Sequence, residues 1–174
     1  LKGLASWFLP FDKGVNDGAG NPPNPDGVKT EYLWRETLRP DSLTNIIENY
    51  AQIIEEKDRK TGRKKRKQIF PRYHQLHGVR ALLADARDKG AGQRYLIQHS
   101  AGSGKSNSIA WLAHQLVGLR HNEANAFDTI VVVTDRRNLD EQIRETIKGF
   151  AQVSQIVAPV TDGSDQLRGH LEAG

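Results

Sequence analysis

Eight residues carry the first chemical signal: His99-Ser100-Ala101-Gly102-Ser103-Gly104-Lys105-Ser106. Glycines at 102 and 104 let backbone N–H groups converge on phosphate oxygens with no Cβ atoms in the way. A helix beginning near Lys105 adds the positive end of its dipole. Lys105 supplies a cation for the β- and γ-phosphates, and the Ser106 hydroxyl can ligate Mg²⁺. The spacing predicts a phosphate loop for ATP or a close relative. Its phosphate-binding residues are Ala101, Gly102, Ser103, Gly104, Lys105 and Ser106, with ATP and Mg²⁺ as cofactors. The usual pattern has glycine where this chain has His99. The bland reading, a Gly-Ser turn with an incidental lysine, does not account for the elements on either side.

Those elements follow from hydrophobic spacing. Arg94–Gln98 reads as a short strand entering the loop and Lys105–Leu119 as the helix leaving it, with Ile109, Leu112, Ala113 and Leu116 inward. Tyr73–Arg87 carries Leu76, Val79, Leu82 and Leu83 on one stripe. Thr129–Thr134 is a β-branched run typical of a buried parallel strand. Leu139–Phe150 is a helix, Ile156–Val160 a strand and Ser164–Glu172 a last helix. Alternating strands and helices predict an α/β domain with a parallel sheet. Before it, Leu4–Phe11 reads as a strand, 17–27 as a loop and 41–56 as a helix capped by Asp41 or Ser42.

Composition sets the boundaries. Between Lys57 and Lys67, eight of eleven residues are Lys or Arg. Such a run is self-repelling and solvated, so it reads as a linker in preference to a grip on DNA phosphates. It divides the chain into residues 1–56, a basic linker at 57–68, and the α/β region 69–174. The net charge of +4 leans mildly toward polyanionic partners. With no cysteine there are no disulfides, thiolate metal sites or thiol catalysis. No apolar run is long enough to span a membrane. The first residues lack the basic region and apolar length of a signal peptide, and the front looks cut. A cytoplasmic location is expected.

Two further groups narrow the chemistry. Gln75, in Phe70-Pro71-Arg72-Tyr73-His74-Gln75, has an amide that can both donate to and accept from adenine. Downstream, Thr134-Asp135-Arg136-Arg137 follows a strand, where such sheets face their ligands. Thr134, Arg136 and Arg137 are candidates for DNA contact, and the arginines could equally pair with Asp140 and Glu141. His74, His77 and His99 have no carboxylate at ligand spacing, so they read as surface or supporting residues.

Taken together, Gln98 to Ser106, the Phe-Pro-Arg-Tyr-His-Gln segment before it and Thr134 to Gln142 after it resemble the motor (restriction) subunit of type I restriction enzymes. Within that family, histidine at 99 is expected. Phe8 to Gly14 and the Asn-Pro-Pro-Asn-Pro-Asp loop resemble the junction between its nuclease and motor domains. The resemblance implies an incomplete RecA-like domain of a superfamily 2, helicase-like motor, preceded by the tail of a nuclease domain. It implies ATP-dependent translocation of double-stranded DNA, DNA cleavage, and partnership with modification and specificity subunits. It assigns Lys105 and Ser106 to phosphate and Mg²⁺, Gln75 to adenine, and Thr134 to Arg137 to DNA. The acidic motor motif is expected beyond Gly174 and the nuclease carboxylates before Leu1. Glu31, Glu36 and Asp41 near Lys29 do not form a nuclease arrangement. No catalytic residue is therefore expected in the chain, and nucleotide binding is the most it should perform alone. Two alternatives stand beside this reading: a nucleic-acid-binding module with a vestigial nucleotide site, and another superfamily 2 helicase.

Overall fold

The computed structural model describes residues 11–16, 18–57, 62, 64–135, 137–150, 157–161 and 163–172. After a π-helical turn at Leu33–Thr37 come α1 (Pro40–Asn49), β1 (Gln52–Lys57), β2 (Lys64–Ile69) and α2 (Tyr73–Lys89). Then follow α3 (Lys105–Leu116), β3 (Arg120–His121), β4 (Ala124–Asn125), α4 (Arg137–Gly149) and α5 (Ser164–Glu172). No helix among the described residues is long and apolar enough to cross a membrane.

The core lies among four helices and the base of one hairpin. Leu76, Val79, Leu83 and Ala86 of α2 recur at helical spacing and are buried together. They pack toward Ala110 and Trp111 of α3, which in turn meets Ile143 and Ile147 of α4. Trp111 is fully buried between Tyr50 and Phe150, at ring-centroid distances of 5.8 and 6.0 Å. Its indole Nε1 donates to the Tyr50 carbonyl at 2.9 Å, closing the C-terminal end of α1. The inward face of α3 thus centres on Trp111. Ile109, Leu112 and Leu116, expected to point inward, are only partly buried against the core. α1 is tied to α2 by Arg80, whose guanidinium donates to Asn45 Oδ1 at 2.8 and 3.2 Å, to Ser42 Oγ at 3.0 Å and to the Ser42 carbonyl at 3.0 Å.

The helix expected over 41–56 stops at Asn49. The Tyr50 and Ala51 N–H groups both return to the Ile46 carbonyl, which ends the ladder. The β-branched pair Ile53-Ile54, stiff at χ1 and suited to extended backbone, then enters β1, where Ile54 packs against the core and Ile53 is exposed. β1 and β2 form an antiparallel hairpin running from Gln52 opposite Ile69 to Lys57 opposite Lys64. The expected boundaries at 56 and 68 therefore fall inside paired strands, and much of the basic run is strand.

The parallel sheet is not present among the described residues. The only pairings there are β1 with β2, β3 with β4, and an isolated antiparallel bridge between Val15 and Gly18. Residues 94–98 and 129–134, expected as strands, are unpaired, with Leu96 93% and Val133 86% exposed. Val157–Val160 is likewise unpaired, while Ile156 and most of the expected strand at 4–11 lie outside the described residues. The described architecture is mixed α/β with two small antiparallel sheets. Parallel strands need neighbours on their edges and layers on both faces, and among the described residues neither surrounds 94–98 or 129–134.

The N-terminal loop docks on the first turn of α2. Tyr73 meets Phe11 and Tyr32 edge-on at 5.8 and 5.4 Å and stacks on His77 at 5.7 Å. The Tyr32 hydroxyl donates to the Phe11 carbonyl at 2.6 Å, and Lys13 sits 4.7 Å from the Tyr32 ring centroid.

Candidate nucleotide site

Residues 100–104 form a turn that opens directly into α3. Gly102 and Gly104 adopt φ of 76° and 82°, a region that side chains disfavour. A Cβ on Gly102 would meet open space, whereas one on Gly104 would collide with the side-chain nitrogen of Gln75. Gly104 caps α3, and its carbonyl accepts from the N–H groups of Asn107 and Ser108 at 3.1 and 3.3 Å. Ser106 lies half-buried in the first helical turn.

Lys105 folds back over the loop. Its ammonium donates to the carbonyls of His99 at 3.1 Å and Ser100 at 2.8 Å, and the side chain is exposed. A triphosphate would have to draw this cation from two neutral carbonyls, a favourable exchange because charge-assisted bonds are stronger.

Gln75 is 4% exposed, and both ends of its amide are occupied. Oε1 accepts from the Arg72 N–H at 2.8 Å, which caps the start of α2. Nε2 donates to the carbonyls of Ser103 at 3.2 Å and Gly104 at 2.9 Å. A role with adenine therefore comes in addition to a loop-holding role that residue type alone did not reveal. His74 shares that role: its Nε2 lies 3.1 Å from the Ser103 carbonyl, so it is the donor, and its ring meets His99 edge-on at 5.0 Å. Spacing gave no signal for His74 beyond its position next to Gln75.

The Ser103 hydroxyl is buried without a hydrogen-bond partner among the described residues. An orphaned donor beside two left-handed glycines and a helix N-terminus suits a loop built to accept phosphate oxygens. The residues present thus fit a nucleoside triphosphate, which Gly102 to Lys105 would hold at its phosphates, with the Ser106 hydroxyl available to a Mg²⁺ ion.

Burial, then the proximity of His74 and of Lys105, hold His99 below the ordinary histidine range. Because the folded value lies below the unfolded one, the unfolded chain takes up the proton first as pH falls. The stability contributed by neutral His99 is therefore complete above about pH 6.5 and declines below it. The urea midpoint should drop more steeply between about pH 7 and 5.5 in the parent than in His99→Gln. Equal slopes would remove His99 as the cause.

The proposed DNA contacts are less fully placed. Thr134 is half-buried, and no hydrogen bond or ion pair among the described residues joins it to the loop. Arg136 lies outside the described residues, and Arg137 opens α4. Asp140, named as an alternative partner for these arginines, lies 3.8 Å from Arg144.

A helix-capped glycine loop, braced from behind by α2, is a candidate nucleotide site, and comparison with known proteins supplies the family. A family model described as SWI2/SNF2 ATPase matches residues 74–173, and the chain belongs to this family. It is also 28% identical over 142 residues to the "Type I restriction enzyme HindI endonuclease subunit" of Haemophilus influenzae (strain ATCC 51907 / DSM 11121 / KW20 / Rd). That match covers 79% of this chain and 13% of the relative, so the chain spans a small part of the protein it resembles. No solved structure matches the chain. These findings support a helicase-like ATPase related to restriction-enzyme endonuclease subunits, the likeness that the motifs carried.

Proposed function

We propose that the chain is the ATP-binding part of an ATP-dependent DNA translocase and endonuclease subunit of a type I restriction enzyme. The carrying observation is the loop at 100–104: two left-handed glycines, Lys105 poised over loop carbonyls, and Gln75 and His74 bracing the turn. In this reading Ala101 to Ser106 hold the triphosphate and Mg²⁺. Gln75 serves adenine as well as the loop, and Thr134, Arg136 and Arg137 face double-stranded DNA. The remaining partners are the modification and specificity subunits, in the cytoplasm.

The finer fold belongs to the same proposal. The apolar runs at 94–98 and 129–134, unpaired here, become strands of a parallel RecA-like sheet within a longer protein. The boundaries at 56 and 68 then separate a nuclease-side segment from the motor, with the hairpin spanning the junction. Catalytic groups for hydrolysis and cleavage come from elsewhere in that protein.

Titration with a fluorescent ATP analogue and Mg²⁺ tests the site. Lys105→Ala should weaken binding about 30- to 150-fold, the equivalent of losing a charge-assisted bond of about 2–3 kcal/mol. Equal affinity for parent and variant would dismiss the loop as the phosphate site and favour a binding module whose nucleotide site is vestigial.

A further inference from the structure

The basic hairpin holds all of the chain's excess positive charge. Residues 52–69 contain eight Lys or Arg against three acids, a net +5. The whole chain has 25 against 21, so the remaining residues hold 17 cations against 18 acids, a net −1. A near-neutral protein thus presents one strongly basic element.

Pairing changes the meaning of that element. A solvated linker spreads its charges through many conformations. Here an antiparallel ladder orders the part of the run that lies in the two strands, with Glu55 opposite Arg66, Glu56 opposite Lys65, and Lys57 opposite Lys64 in the register. Lys64, Arg66 and Lys67 all engage partners, and the two strands together carry five cations against two acids. Strand alternation places Lys64 and Arg66 on the face opposite buried Ile69, and Lys67 on the same face as Ile69. Cations therefore occupy both faces.

The hairpin is also well seated. Ile69 and Gln52 at its base are buried, and Ile54 packs against the core, close to Gly149 at the end of α4. Three residues, Phe70 to Arg72, connect β2 to α2, whose first turn carries Gln75 and His74 against the nucleotide loop.

We propose that the β1–β2 hairpin is a contact surface for the phosphate backbone of duplex DNA, set on the element that braces the nucleotide loop. The choice of DNA over other polyanions rests on the proposed motor function; the charged surface itself does not. Phosphate contacts release counterions, so each one adds about 0.9 to the slope of log affinity against log salt.

The test is duplex binding by the full chain across a salt series. The triple variant Lys64→Gln/Arg66→Gln/Lys67→Gln should lower the slope by about 2–3 and weaken binding about 10- to 100-fold near 0.1 M salt. Lys64→Arg/Lys67→Arg should bind like the parent, as should a control triple, Lys29→Gln/Arg39→Gln/Arg168→Gln. If the first triple variant does not fold, Lys67→Gln alone should still lower the slope by about 1. A parent that binds duplex with an unchanged slope in the hairpin variants overturns the hairpin assignment and leaves a DNA motor standing. A parent that binds anionic lipid vesicles but no duplex overturns the choice of DNA. Nucleotide affinity, read separately through Lys105→Ala, reports on the ATP site whichever result is obtained.

Discussion

Trp111→Ala should lower the unfolding free energy by about 3–5 kcal/mol, the usual range for emptying a buried tryptophan site. Trp111 is fully buried, wedged between Tyr50 and Phe150, and at the meeting of α1, α3 and α4. Truncation removes this packing and also leaves the Tyr50 carbonyl, at the end of α1, without its indole donor. Neighbours cannot collapse easily into the space, because three separate helices would have to move together. Urea unfolding followed by circular dichroism measures the change. Trp111→Phe keeps most of the apolar volume and should lose only about 1–2 kcal/mol, chiefly the hydrogen bond. Equal losses in the two variants would show that the packing volume contributes little. The consequence reaches the site, since α3 begins at Lys105 and is positioned by this cluster.

Gln75→Leu should be costly in two measurable ways. The substitution keeps roughly the same volume but strands the Arg72 N–H and removes a donor from the Ser103 and Gly104 carbonyls. Unsatisfied buried groups cost about 1–3 kcal/mol each, so a loss of about 3 kcal/mol in stability is expected. The Gly104 carbonyl retains its helical donors, which limits the damage there. The second readout is nucleotide preference. A residue acting only through the loop weakens ATP and GTP analogues equally, by about tenfold if about 1.4 kcal/mol of loop order is lost. A residue that also meets adenine weakens the ATP analogue further. The proposed double role requires this additional loss. An unchanged ATP-to-GTP ratio would confine Gln75 to positioning the loop.

Much of the site could be read from spacing because its chemistry is local. A phosphate loop needs backbone freedom at Gly102 and Gly104, a cation and hydroxyl at 105 and 106, and a helix to follow, all within consecutive residues. The stripe Leu76, Val79 and Leu83 was likewise visible, because helical burial repeats along one segment. The basic run was visible as composition, but its shape was not. Charge repulsion argues for a linker, and only pairing across the turn makes it a hairpin. The end of α1 is hidden in the sequence for a related reason: isoleucines at 46, 47, 53 and 54 fit a helical pattern, while the β1–β2 ladder claims the second pair.

The sequence by itself determined the glycine loop, its lysine and serine, and the family to which residues 74–173 belong, because each depends on residue identity in short order. Tertiary structure alone decided that Gln75 and His74 reach across 28 or 29 positions to the carbonyls of Ser103 and Gly104, that Trp111 is the centre of the core, and that Lys64 to Lys67 of the basic run lie in a paired strand. Contacts between distant segments form only where helix packing and strand pairing bring them together. A side chain's hydrogen-bonding capacity says what it can bind, and the fold decides which partner lies within reach.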